Sequence, residues 1–188
     1  MTVGLWLIGA LAAVVLFVQT LTRASRPGGI DVTTYLAAAR AVAEGANPYT
    51  LDLPSPYLYP AFLAFGMIPF SLLPATIVVA AWFAASTWAL IYSLRTTLLL
   101  AYPYLRHEDL TPLLAVVLTL FFPLIQSNLR NGQVNTIVLA LCIFALARHR
   151  SSRESQSAVA WGIAIAIKLM PVLIAPFFLR RRAWRELL

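Results

Sequence analysis

Acidic side chains are scarce. The chain has seven Asp and Glu in 188 residues, and charged residues of both signs make up only 11%. A soluble domain carries about 25% charged residues and about 45–50% apolar ones, whereas here 61% are hydrophobic. That deficit excludes an ordinary soluble fold and predicts an all-α polytopic membrane protein. Cysteine is rarer still: Cys142 stands alone inside an apolar run, so no internal disulfide can form and a small core or lipid-facing residue is expected. The two histidines, His107 and His149, lie in charged stretches without metal-ligand spacing and read as solvated loop residues. Neither a glycine-rich phosphate loop nor a Ser/His/Asp set is present, and no metal or cofactor is expected. Net charge is +7, but the arginines fall between apolar segments, which reports membrane topology rather than nucleic-acid binding.

What is abundant is long apolar sequence. A bilayer core needs about 20 apolar helical residues. Five runs qualify or nearly so: Val3–Thr20, Leu58–Leu73, Ala75–Leu94, Leu110–Asn128 and Val134–Ala147. The first has no preceding Lys or Arg, so it reads as a retained helix rather than a cleaved signal. Leu58–Leu73 is short and holds Pro60, Gly66 and Pro69, which makes it a poor spanning helix. A sixth run, Ala158–Leu179, has Lys168 at its centre and Pro171 and Pro176 beyond it.

If all six runs cross once, most arginines of the internal loops lie on the side of Asp31, against the positive-inside tendency. A second topology fits better. Leu58–Leu73 lies along the outer surface, and Ala158–Leu179 enters from the cytoplasm, breaks at Pro171 and returns. Arg95, Arg106, Arg148, Arg150, Arg153 and the terminal Arg180, Arg181, Arg182 and Arg185 are then inside. Lys168 sits at the apex of two half-helices, which a membrane tolerates where the backbone is buried or lines a wet cavity. This arrangement predicts one membrane domain over 1–188 with an external loop over 23–74. It turns Asp31, "NLRNGQVN" (128–135) and Lys168 toward one outer cavity. "RRRAWR" reads as a cytoplasmic anchor for anionic lipid.

Four patches, in order, carry a resemblance: "DVTTYLAAARAVAEGANPY", "YLYPAFLAFGMIPFSLLP", "NLRNGQVN" and "AIAIKLMPVLIAPFFLRRR". From about residue 28 onward the chain resembles glycosyltransferase family 87, membrane mannosyltransferases with the GT-C fold that use a polyprenyl-phosphate sugar. The resemblance implies external juxtamembrane helices after the first span and a catalytic aspartate at Asp31. It also implies a cationic side chain, Lys168, near the lipid phosphate. The donor would be the polyprenyl-phosphate lipid and the acceptor a glycan or glycolipid, in the cell membrane and without nucleic acid. Family members are longer, so this chain is expected to be an N-terminal portion. The competing class is a non-catalytic polytopic membrane protein, which would keep Lys168 and the arginines without needing Asp31.

Each candidate residue has a bland alternative. Inverting transfer needs one carboxylate to accept the acceptor hydroxyl's proton; Asp31 could equally be the cap of the helix that follows. Tyr35 lies one helical turn on and could stack on a sugar, orient Asp31, or be an interfacial aromatic. Tyr59 is a further candidate sugar contact. Asn47 could touch sugar hydroxyls, although Gly45 to Tyr49 reads first as a helix stop and turn. Asp52 is the alternative base or a solvated loop charge. Asn128, Arg130, Asn131, Gln133 and Asn135 are too polar to face lipid. They form either a membrane-edge loop turning at Gly132 or a sugar grip in which Arg130 pairs with phosphate. Lys168, deep in an apolar run, is a functional-site hypothesis by default, with snorkelling as its alternative.

Overall fold

The computed structural model describes residues 2–180; Arg181, Arg182 and Arg185 of the expected anchor lie outside the described residues. The described residues form α1 (Thr2–Ala24), α2 (Asp31–Ala43), α3 (Ala61–Ser71), α4 (Ala75–Ala101), α5 (His107–Leu120), α6 (Phe122–Arg130), α7 (Asn135–Arg150), α8 (Glu154–Ile167) and α9 (Ala175–Arg180), with 3-10 turns at Pro48–Thr50 and Met170–Ile174. Among them there is no strand, as the all-α reading requires.

Two helices are long and apolar enough to cross a membrane, over Leu7–Ala24 and Ala75–Ala101. On α1, Leu7, Ile8, Leu11, Val14 and Val18 are exposed. Such a stripe is costly in water and at home in lipid. The opposite side of α1 packs inward: Phe17 meets Phe83 of α4 at 5.4 Å, and Thr20 Oγ1 donates to the Leu129 carbonyl of α6 at 3.4 Å.

The 11 residues of α3 reach only about 16 Å at 1.5 Å per residue, half a bilayer core. α3 lies against α2. The Arg40 guanidinium of α2 donates to the Ser71 carbonyl at the end of α3 at 3.4 Å. Alanines at 38, 39 and 41 let the two backbones approach closely, and Val32, Tyr35, Leu36, Ala38 and Ala39 are all buried. The main core runs from this face to Val78 and Val79 of α4, Val138 and Cys142 of α7 and Ala164 of α8. Cys142 is therefore a core residue.

One run expected to be continuous is broken, and a second breaks earlier than expected. Leu110–Asn128 bends by 74° between α5 and α6, so it is a broken span or a re-entrant loop. Pro123 accounts for the break: its ring would clash with the carbonyl four residues back, Thr119, and it has no N–H to continue the ladder. The same rule moves the second break. It was expected at Pro171, but α8 ends at Ile167, whose carbonyl is the one Pro171 would strike, and Lys168 is extended (φ −152°, ψ 129°). Beyond it the chain does return. Trp161 Nε1 donates to the Pro171 carbonyl at 2.9 Å, and the Phe178 ring lies 4.9 Å from Trp161 and 5.5 Å from His149. His149 is thus in the last turn of α7 beside aromatic rings, not in a loop.

Candidate active site

Asp31 is the first residue of α2, and its placement is fixed by backbone. Its N–H donates to the Asn131 carbonyl at 2.9 Å, tying α2 to the turn between α6 and α7. Gly132 permits this contact. It has φ +63°, and a Cβ there would stand 3.0 Å from Ile30 Cδ1 and 3.3 Å from Val32 Cγ1. The cap reading of Asp31 is corrected here. The capping position is Ile30, and the Thr33 hydroxyl accepts from the Ile30 N–H at 3.0 Å. The Asp31 carboxylate is consequently free of capping duty.

That carboxylate opens into a cavity of about 760 Å³. Tyr35, Tyr59 and Lys168 line it with Asp31, and Leu58, Leu169 and Leu173 form an apolar lip. Leu58 is 80% and Leu173 70% exposed, so the lip faces outward. Burial raises the Asp31 carboxyl above its ordinary value of 3.8; the Tyr35 and Tyr59 hydroxyls oppose this most, followed by the charges of Lys168 and Arg23. Burial likewise raises both phenols, so they stay neutral. Tyr35 is fully buried, edge-on to Tyr59 at 5.0 Å and to Trp82 at 5.6 Å. Its hydroxyl lies near enough to favour the carboxylate's charge but meets no partner in good hydrogen-bond geometry. A half-buried carboxylate with raised proton affinity, beside neutral phenols, is suited to accepting a proton.

Lys168 is the sole lysine among the 14 basic residues. Its ammonium donates to Asn135 Oδ1 at 2.6 Å and stands 5.7 Å from the Tyr59 ring centre. Gln133 Oε1 accepts from Asn128 Nδ2 at 3.0 Å and from Asn135 Nδ2 at 2.9 Å. The amides of "NLRNGQVN" therefore sit behind Lys168 rather than on the cavity wall. Asn131 turns to Ser127 Oγ at 3.3 Å, and Arg130 keeps a buried, unpartnered Nε. Asn47 is exposed and accepts from the Tyr49 N–H at 3.0 Å, closing its own turn away from the cavity. Asp52 is also exposed and does not line the cavity.

Two residues at the site were not singled out from sequence. The Tyr57 hydroxyl donates to the Pro60 carbonyl at 2.8 Å and accepts from the Ala64 N–H at 3.1 Å, fixing the start of α3 behind Tyr59. Its alternation with Tyr59 in "PYLYP" was the available signal. Asn135, read only as part of a polar patch, is the direct partner of Lys168.

Helices of membrane-spanning length, with a cavity that holds a carboxylate and an ammonium, define a helical membrane protein with a polar pocket. The chain belongs to glycosyltransferase family 87, whose sequence model matches residues 57–188. Asp31 lies ahead of that stretch. Among characterised relatives, the chain is similar to two proteins of Mycolicibacterium smegmatis (strain ATCC 700084 / mc(2)155). A polyprenol-phosphate-mannose-dependent alpha-(1-2)-phosphatidylinositol pentamannoside mannosyltransferase is 28% identical over 82% of this chain and 38% of its own length. A polyprenol-phosphate-mannose-dependent alpha-(1-2)-phosphatidylinositol mannoside mannosyltransferase is 26% identical over 86% of this chain and 41% of its own. The matches thus span about two fifths of these relatives. No solved structure matches the chain.

Proposed function

We propose that this chain forms the donor-side part of a membrane mannosyltransferase of the GT-C type, which moves a hexose from a polyprenyl-phosphate sugar to a membrane-associated glycan or glycolipid. One observation carries the reading: Asp31 and Lys168, from opposite ends of the chain, line one cavity whose lip is exposed apolar side chains. The lip suits the polyprenyl chain, the ammonium suits the phosphate, and the carboxylate suits an acceptor hydroxyl.

The reaction is a single displacement with inversion. The acceptor oxygen forms a bond to the anomeric carbon as the bond from that carbon to the phosphate oxygen breaks. The departing electron pair stays on the polyprenyl phosphate, where Lys168 stabilises the growing charge. Asp31 takes the acceptor's proton. Tyr59, between the two charges, offers a ring face and a hydroxyl to the sugar. No metal or cofactor is invoked; the donor lipid is a substrate.

The cavity opens outside the cytoplasm, on the side of residues 23–74, in a multi-pass cell-membrane protein. The shortness of α3 and the returning hairpin after Lys168 support this side, as does the arginine distribution. Sided cysteine labelling tests it: an impermeant thiol reagent should reach cysteines placed at 31 and 133 from outside and one at 151 only after permeabilisation. Labelling of 133 from the cytoplasm alone overturns the topology. For the chemistry, polyprenyl-phosphate-mannose should bind Asp31→Asn as tightly as the parent without sugar transfer. Unimpaired transfer by Asp31→Asn would overturn the assignment of the base.

A further inference from the structure

Lys168 has an unusual task for a lysine. It lies where the helix has stopped, in an extended residue, so no helical neighbour restrains its four-carbon stem. A flexible ammonium is a poor phosphate partner unless something fixes it. We propose that Asn135 is the positioning residue for Lys168, oriented by an amide relay through Gln133 and Asn128. The inference rests on the reading that Lys168 meets the donor phosphate, but its test does not.

The orientation of the relay follows from donor and acceptor counting. An ammonium has only donors, so Asn135 must turn its carbonyl oxygen to Lys168, which it does at 2.6 Å. Its amide nitrogen then faces Gln133, which must present oxygen, at 2.9 Å. The Asn128 amide nitrogen converges on the same oxygen at 3.0 Å. With two donors on one oxygen, Gln133 cannot flip without placing nitrogen against nitrogen twice. Asn135 cannot flip without placing a donor against the ammonium. The backbone sets the spacing: the Gln133 N–H donates to the Asn128 carbonyl at 3.1 Å, and Asn135 opens α7 two residues later. The polar segment that sequence reading offered as a direct sugar grip is thereby a fixed bracket for the lysine.

The other groups facing Lys168 are the Tyr59 ring, 5.7 Å away, and the Asp31 carboxylate across the cavity. Asp31 is a rival acceptor, so the test is made in the full chain carrying Asp31→Asn, in detergent. The rate of acylation at Lys168 by a water-soluble amine reagent is read by peptide mass spectrometry; with one lysine, the signal is unambiguous. Asn135→Leu removes the acceptor and should speed acylation about tenfold, the scale of a lost hydrogen bond to a charged group. Asn135→Asp keeps an acceptor and strengthens it, so acylation should be slower than in the parent. Gln133→Leu, which frees Asn135 to flip, should give a smaller increase of about threefold, and it serves should Asn135→Leu fail to fold. A merely structural role would move Leu and Asp variants in the same direction. Equal rates in parent and Asn135→Leu, or shifts of one sign in Leu and Asp variants, overturn the proposal. If the rates behave as expected while donor affinity in the Asn135 variants is unchanged, the bracket stands and the phosphate reading of Lys168 fails.

Discussion

The two charged walls of the cavity are held differently, one by a backbone bond to a distant segment and the other by a backbone bond within its own helix and a side-chain bond to Asn135. Asp31 stands on α2, whose inner face is fully buried, and its own N–H donates to the Asn131 carbonyl in the turn between α6 and α7. Lys168 stands at a helix break followed by exposed Leu169, Met170, Val172 and Leu173; its N–H stays bonded within α8, to the Ala164 carbonyl, and its ammonium is held by Asn135. A proton acceptor must lie within about 3 Å of one oxygen, so it benefits from a packed backbone. On the proposed reading a phosphate partner has a more diffuse target, and the exposed apolar residues beside it leave a path for a long lipid.

Substitutions can break this comparison in graded steps. The largest effect is expected for Asp31→Asn, which should lower transfer by about 10²–10⁴-fold, the usual worth of a general base. It should not destabilise. The folded carboxyl is raised above 3.8, so its favourable contribution is present below that pH and is lost as pH rises through the folded value. At neutral pH the ionised group costs stability, and Asp31→Asn should melt no lower than the parent, with its advantage vanishing below pH 3.8. Thermal melting of purified protein at two pH values reads this.

Lys168→Met should weaken donor binding about tenfold while leaving melting nearly unchanged. Gly132→Ala tests the packed wall through its backbone. The positive φ and the 3.0 Å approach to Ile30 predict a loss of about 1–3 kcal/mol in denaturant unfolding, with transfer reduced because Asp31 is displaced. Tyr35→Phe is subtler. The Tyr35 hydroxyl lowers the Asp31 carboxyl, so its removal should move the acidic limb of the pH–rate profile to higher pH with little loss of fold. Asn47→Ala should be nearly silent, within about 0.5 kcal/mol and without effect on donor binding, because Asn47 closes only an exposed turn.

Much of this was legible in the sequence. Apolar length marks α1 and α4, and the prolines and glycine in Leu58–Leu73 foretell a helix too short to cross. Lys168 stands out because a charge deep in an apolar run is costly, and Asp31 because of the resemblance. What was hidden depends on geometry one turn away from the residue that dictates it. Pro171 ends the helix at Ile167 and Pro123 bends the chain at Phe121, because each ring acts on the carbonyl four residues back. The cap was hidden because Asp suits a capping position, whereas α2 is capped at Ile30, whose N–H donates to the Thr33 hydroxyl three residues on. The amides of 128–135 announce a polar site but not whether they touch substrate or hold the residue that does. That depends on Lys168, 33 positions beyond Asn135.

The central claim is that a lipid-linked sugar phosphate occupies the cavity between Asp31 and Lys168. The most direct measurement is protection of the sole lysine in sealed vesicles. An impermeant amine reagent is applied from outside with and without polyprenyl-phosphate-mannose, and acylation of Lys168 is followed by mass spectrometry. Lys168 should be acylated from outside, and the donor should slow this about tenfold, whereas polyprenol lacking the phosphate should not. Acylation at the same rate with and without the donor would contradict that claim.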